Sequence, residues 1–265
     1  MAIASASYFG NQAAVGLGGA TGGEFDKFGL HATPKYVLGF KVECNDGSIY
    51  RYVHTGAATN RGSIVSQDLS ETSTADTDNA VIAPASAVAV TGESLKPGAL
   101  GSTYVQLTVA SITANQFRGG KFITTDDVGE GYTYDILGNT ATDDPATGDF
   151  RLRLAQPLQV ALDATTDISI EGSPYSDVEG ATGTDEYPVG VLCSTTTSSL
   201  PYAWVQTKGT VGVLQAGTVT LGDILVVSNT TGAAETQTGY TQPIIGFCVD
   251  PGDTTGHMVA HINLE

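Results

Sequence analysis

The sequence predicts an all-β protein, with a β-sandwich or barrel-like body, a small C-terminal β module and an extended N-terminal arm. Short β-rich runs recur from residue 37 onward, and clusters of Gly, Asp, Asn and Thr separate them. Hydrophobic residues form 41% of the 265-residue chain and charged residues 15%, which argues against general disorder. A chain of this length buries a sizeable core, in one large β domain or two smaller ones.

The first element is a flexible N-terminal arm over 1–36. It contains seven glycines, and its two acidic and two basic residues leave it with no net charge. A glycine-rich segment folds alone at a high entropic cost, yet this one carries aromatic and aliphatic side chains that a linker does not need. We therefore expect the arm to become ordered against a partner; the alternative is a frayed or locally folded terminus. The expected contact residues are Tyr8, Phe9, Leu17, Phe25 and Phe28.

A main β domain is predicted over 37–186. It opens with two β-rich runs, 37–43 and 48–54, around the turn sequence Asn45-Asp46-Gly47, a strong hairpin signal. Residues 66–103 are ambiguous, and a short helix over 112–117 is conceivable. Further strands of this domain are predicted at 104–110, 121–125, 132–136, 150–154 and 167–171.

A C-terminal β module is predicted over 187–265. Residues 188–193 and 243–249 resemble each other, since each places a glycine inside an apolar run after a proline. This similarity indicates either one strand motif used twice or a chance match. The predicted strands of the module are 189–193, 202–206, 210–214, 224–227, 244–249 and 257–263.

Composition limits the partners. Eleven Lys and Arg against 28 Asp and Glu give a net charge of −17. Eleven basic residues are too few to form a surface that binds nucleic-acid phosphates. No apolar run reaches the length of a membrane span, and 1–23 lacks the positive charge of a signal peptide. We therefore expect no nucleic-acid or membrane partner and synthesis in a cytoplasm. Free, buried thiols are expected for the three cysteines, Cys44, Cys193 and Cys248.

The sequence offers no catalytic, cofactor or metal site. His257 and His261 share one face of a strand without a third ligand nearby. An EF-hand starting at Asp76 would need Gly and Glu where Val81 and Ala87 stand, so the acidic loops are expected to be solvated rather than calcium-binding. Neither a nucleotide-binding motif nor a nucleophile elbow is present. We expect a protein that is not an enzyme.

Seven segments of the chain carry a resemblance: 114–122, 129–139, 152–162, 174–175, 202–209, 216–225 and 245–247. In this order and spacing they resemble virion structural proteins of tailed bacteriophages, in particular capsid decoration (cement) proteins. The resemblance runs from about residue 37 to 262 and leaves out the arm. It implies a β-rich, often trimeric protein on the outer surface of the capsid, bound to the major capsid protein over the joints between capsomers. It implies no catalytic residues.

Other classes are weaker alternatives. A tail or receptor-binding (fibre or spike) component would also be β-rich, but fibrous repeats and a low-complexity stalk are missing from the sequence. A glycan hydrolase needs two acids in an aromatic-lined cleft, whereas the acids here lie mostly in Gly and Thr loops. A surface-layer protein or adhesin would need an export signal.

Overall fold

The computed structural model describes residues 25–67, 73–74, 86–87, 89–108, 112–142, 149–183, 187–239 and 242–265. These residues form sixteen β-strands and no helix, so the predicted all-β class is confirmed. The strand pairs are antiparallel, and the sheets are curled. Around 112–117, where a short helix was conceivable, the chain forms turns.

The chain divides into two compact units, and the second is inserted into the first. The boundaries fall between Asp68 and Leu69 and between Ser173 and Pro174. The predicted division into 37–186 and 187–265 is therefore corrected. The predicted C-terminal module is not separate, because its longest strand pairs along one half of its length with residues 49–54.

The first unit contains a ten-stranded sheet. Its longest strand, β12, pairs with β2 through its first half and with β16 through its second half. From edge to edge the strand order is β10-β3-β11-β12-β16-β15-β13-β14. Outside this order, β2 pairs with β12 and β1 pairs with β2. The strands are β1 Lys41–Glu43, β2 Ile49–His54, β3 Ile64–Gln67, β10 Val178–Gly180, β11 Pro188–Leu192, β12 Tyr202–Leu214, β13 Ile224–Val227, β14 Ala234–Thr236, β15 Ile244–Asp250 and β16 His257–Asn263.

This sheet consists of two equivalent halves. The first lobe comprises β2, β3, β10, β11 and the first half of β12; the second lobe comprises the second half of β12 and β13 to β16. In each lobe an isolated parallel bridge joins the edge strand, β10 or β14, to the residue that directly follows β2 or β12. The two bridges are Thr55 to Val178 and Gln215 to Ala234. Equivalent backbone hydrogen bonds also recur. In the first lobe they run from Thr55 N to Pro201 O, from Gly62 N to Leu192 O and from Leu192 N to Ser63 O. In the second lobe the equivalent bonds run, in the same order, from Gln215 N to Gly256 O, from Gly222 N to Cys248 O and from Cys248 N to Asp223 O. All six are 2.8–2.9 Å long.

The two lobes bury equivalent side chains. Each lobe has an apolar core to which its strands contribute one face, as expected of a half-buried antiparallel sheet. The first-lobe core contains Val53, Val65, Val178, Val189, Leu192, Ala203 and Val205. The corresponding second-lobe residues are Val213, Leu225, Ala234, Ile245, Cys248, Met258 and Ala260.

The similar segments 188–193 and 243–249 form β11 and β15, which occupy equivalent places in the two lobes. In each strand the pairing register shifts just before a glycine, Gly190 or Gly246. A Cβ at Gly246 would lie 2.0 Å from the His261 carbonyl oxygen, and one at Gly190 would lie 2.8 Å from the Val205 Cβ. Both positions therefore need glycine because a neighbouring strand approaches closely.

The inserted second unit is a six-stranded sheet of order β4-β9-β6-β7-β8-β5. Along the chain, this unit is inserted between β3 and β10. The equivalent strands of the second lobe, β13 and β14, are instead joined by a short turn. Its core includes Phe117, Phe122 and Phe150. The strands are β4 Ser73–Thr74, β5 Tyr104–Thr108, β6 Lys121–Asp126, β7 Thr133–Asn139, β8 Asp149–Leu154 and β9 Asp167–Glu171.

Most predicted strands are present. The predicted hairpin is the β1–β2 pair, with Gly47 at a φ of 82° in its turn. The segments 202–206 and 210–214, predicted as two strands, are one continuous strand, β12. Four short strands, β3, β4, β10 and β14, were not predicted.

Candidate functional site

Two of the five predicted contact residues can be placed. Tyr8, Phe9 and Leu17 lie outside the described residues. The Phe25 ring is half-buried and packs against Tyr50 and Trp204, with ring centroids 5.2 and 4.9 Å apart. Its apolar area is thus covered by the chain itself, which corrects the expectation that only a partner covers it.

Phe28, in contrast, is 60% exposed. The Lys27 ammonium lies 5.1 Å from the centre of its ring, and the Phe28 carbonyl accepts a hydrogen bond from the Ser194 hydroxyl. The backbone at Phe28 is therefore tied to the first lobe while the ring faces solvent. Phe28 stays a candidate contact residue.

The described part of the arm is attached to the first lobe. His31 exchanges backbone hydrogen bonds with Tyr202, of 2.9 and 3.2 Å, and its Nδ1 lies 2.9 Å from the Tyr52 hydroxyl oxygen. Burial is the main cause that lowers the pKa of His31. Leu30, Tyr36, Leu38 and Phe40 also pack onto this lobe. The expected boundary at residue 36 is corrected, since residues 25–40 belong to the folded unit.

The clearest candidate for an interaction surface lies on the second lobe. We name it the apolar face and define it as Ile224, Ile244, Phe247 and Val249, which are 46%, 55%, 47% and 38% exposed. Ile224 and Phe247 are direct cross-strand partners on β13 and β15. Phe247 in turn pairs with His261 on β16, and their rings are 5.3 Å apart. Sequence analysis did not single out these residues, because their alternation also suits buried strands.

An ion pair links the two lobes. Arg51 on β2 donates hydrogen bonds from Nε and Nη2 to both carboxylate oxygens of Glu265, which follows β16, at 2.8 and 2.9 Å. The Thr207 hydroxyl donates a further bond of 2.7 Å. These donors, Arg51 foremost, hold the pKa of the Glu265 carboxyl at about 2. The arrangement is bidentate, the strongest form of such a pair.

The first unit also contains a cleft of about 480 Å³. Its lining includes Lys27, Arg61, Cys193, Gln206 and His257. Burial raises the pKa of the Cys193 thiol to about 12, so it is protonated at neutral pH and is a poor nucleophile. The cleft therefore lacks an activated thiol. All three cysteines are free thiols, as predicted, and Cys44 and Cys248 are buried, whereas Cys193 is only partly buried.

The described acidic and histidine positions do not converge. The loop 76–79 and Asp143 and Asp144 lie outside the described residues, while Asp149 accepts hydrogen bonds from Gln106 and Thr108. His257 contacts the Arg61 carbonyl, and His261 contacts Thr210 and Phe247. Among the residues that the structure describes, no three His, Cys, Asp or Glu side chains are grouped to hold a metal ion.

No family model, no curated protein and no solved structure matches this chain. The parts of the chain that are described include no helix of sufficient length and apolar character to cross a membrane.

Proposed function

We propose that this protein is a capsid decoration (cement) protein of a tailed bacteriophage. It binds the outer surface of the assembled head and stabilises contacts between capsomers. Its partners are the major capsid protein and other copies of itself, as a trimer, and it needs no cofactor and catalyses no reaction. The protein is made in the host cytoplasm and resides on the virion.

The observation that carries this proposal is the apolar face. A group of exposed apolar side chains on a chain of net charge −17 is typical of a protein-binding surface. The order of the segments that resemble phage virion proteins supports the particular class. Many copies on one particle make even a weak single contact effective, because neighbouring contacts raise the local concentration.

In this proposal the N-terminal arm binds the capsid shell. Residues 1–24 carry Tyr8, Phe9 and Leu17 and only one charged residue, Glu24. Phe28 is exposed next to this segment. An arm with almost no charge meets an acidic shell with less repulsion than the rest of the chain would.

The test uses purified phage particles. The protein is expected to copurify with intact heads at a ratio near that of the major capsid protein, and antibody labelling should decorate heads. Particles stripped of it should release their genome at a lower temperature than decorated ones, because binding to the assembled state stabilises that state. Equal release temperatures would contradict the stabilising role.

The alternative is a tail or receptor-binding component. Antibody labelling confined to tails would favour that alternative and overturn the decoration proposal.

A further inference from the structure

We propose that the apolar face is a self-association surface, covered by the same face of a neighbouring copy of this chain. This inference deepens the proposed function and rests on its self-association part alone; it does not depend on capsid binding.

The equivalent face of the first lobe is buried, whereas the apolar face is exposed. Ile224 corresponds to Ile64, and Phe247 corresponds to Val191, because each pair holds the same place in equivalent strands. Ile64 and Val191 are also direct cross-strand partners. They are only 0% and 1% exposed, whereas Ile224 and Phe247 are 46% and 47% exposed. The same structural position is thus buried in one lobe and open in the other.

The second lobe is what covers the first-lobe face. Ile64 and Val191 belong to the same apolar cluster as second-lobe core residues such as Val213. Backbone contacts join the lobes there, since Ile64 N donates to Gly232 O at 2.8 Å and Leu214 N donates to Gly62 O at 2.8 Å. A face of this type is therefore covered by a β lobe of this chain.

Within the described part of one chain, no equivalent lobe is left to cover the apolar face. The second-lobe surface that receives the first lobe is already occupied. Its first-lobe counterpart, the core around Val53 and Val65, is covered by Leu30 and Tyr175, which pack against it. Among the surfaces that the structure describes, this leaves the apolar face of a second copy as the complementary one.

The charge distribution agrees with contact between like copies. The row that crosses the face consists of Ile224, Phe247, His261 and Thr210, which pair successively from β13 to β12. This row contains no carboxylate, although each chain carries a net charge of −17. Packing two such rows together avoids placing carboxylates directly opposite each other, which would oppose association.

The first experiment measures the mass of the full chain by analytical ultracentrifugation over a range of concentrations. The wild-type protein is expected to associate reversibly into dimers through this face, because a surface that packs against the same surface of a second copy is closed by two copies. Ile224→Asp combined with Phe247→Asp should weaken association by at least about tenfold, because it places like charges across the contact. Phe247→Val should retain association, since Val191 fills the equivalent buried position.

The matched control is Leu137→Asp. Leu137 is 48% exposed on β7, in the inserted unit, so it resembles Phe247 in exposure but lies on another surface. It should associate like the wild type. A wild-type protein that is monomeric at every concentration would overturn the inference, as would equal weakening by the Leu137 and the Ile224/Phe247 variants. Circular dichroism checks that all variants are folded.

The second experiment tests whether the same faces meet. Phe247→Cys should give a covalent dimer on mild oxidation, whereas Leu137→Cys and the wild type with its three native cysteines should not. Association without this crosslink would show that the face meets a different surface and would overturn the same-face arrangement. Copurification with particles is measured separately, so failure of the capsid proposal leaves these results unaffected.

Discussion

The ion pair between Arg51 and Glu265 predicts how the stability of the two-lobed unit depends on pH. Glu265 is 17% exposed in its side chain, and it connects β2 of the first lobe to the end of β16 in the second. Glu265→Gln keeps the shape of the side chain but removes its charge. We expect this substitution to destabilise the folded unit at pH 7, because the Arg51 guanidinium loses its charged partner.

The magnitude follows from the pKa of the carboxyl. A fall from the ordinary value of 4.5 to about 2 corresponds to roughly 3 kcal/mol of stabilisation at pH 7. Because the pair is partly screened by water, we expect about 1–2 kcal/mol for Glu265→Gln. The pKa is lower in the folded state, so this contribution is complete above about pH 5 and is lost as the pH falls towards 2.

Urea unfolding at pH 7 and at pH 3 measures this effect. Trp204 is the single tryptophan and is buried in the first lobe, so its fluorescence reports on this unit. The stability difference between wild type and Glu265→Gln should shrink by about half at pH 3. Glu43→Gln is the control, since Glu43 is 52% exposed and lies 3.7 Å from Lys41. A difference that does not change with pH, or that Glu43→Gln reproduces, would refute the reasoning.

Three further predictions concern the fold and the arm. Gly246→Ala should destabilise the protein in urea unfolding by about 1–3 kcal/mol, because its Cβ would overlap the His261 carbonyl, while Gly212→Ala, with open space around it, should leave stability unchanged. Phe25→Ala should lower the unfolding temperature and shift Trp204 fluorescence, and Phe28→Ala should do neither, because the Phe28 ring is mostly solvated. A chain lacking residues 1–24 should fold with an unchanged near-ultraviolet circular dichroism spectrum but should bind particles more weakly. Unchanged affinity for particles would show that another part of the chain binds the capsid.

Local sequence patterns sufficed for the class of the fold. Strand propensity and turn residues act over a few neighbouring positions, and so the β1–β2 hairpin and most strands were predicted from them. Trp204 is buried as well, as is common for large aromatic side chains inside β-rich runs. The short strands β3, β10 and β14 were missed because three or four residues carry too little periodicity.

The tertiary structure decided what depends on residues distant in sequence. The equivalence of the two lobes was visible in the sequence only at 188–193 and 243–249, and the insertion of the second unit separates β3 from its partner β10 by more than a hundred residues. Exposure was decided in the same way. Ile64 and Ile224 have the same residue type in equivalent strands, yet one is buried and the other open, because exposure is determined by what packs on a strand and not by the strand itself. Phe25 differs from Phe28 for this reason too, since only Phe25 reaches the aromatic cluster around Trp204.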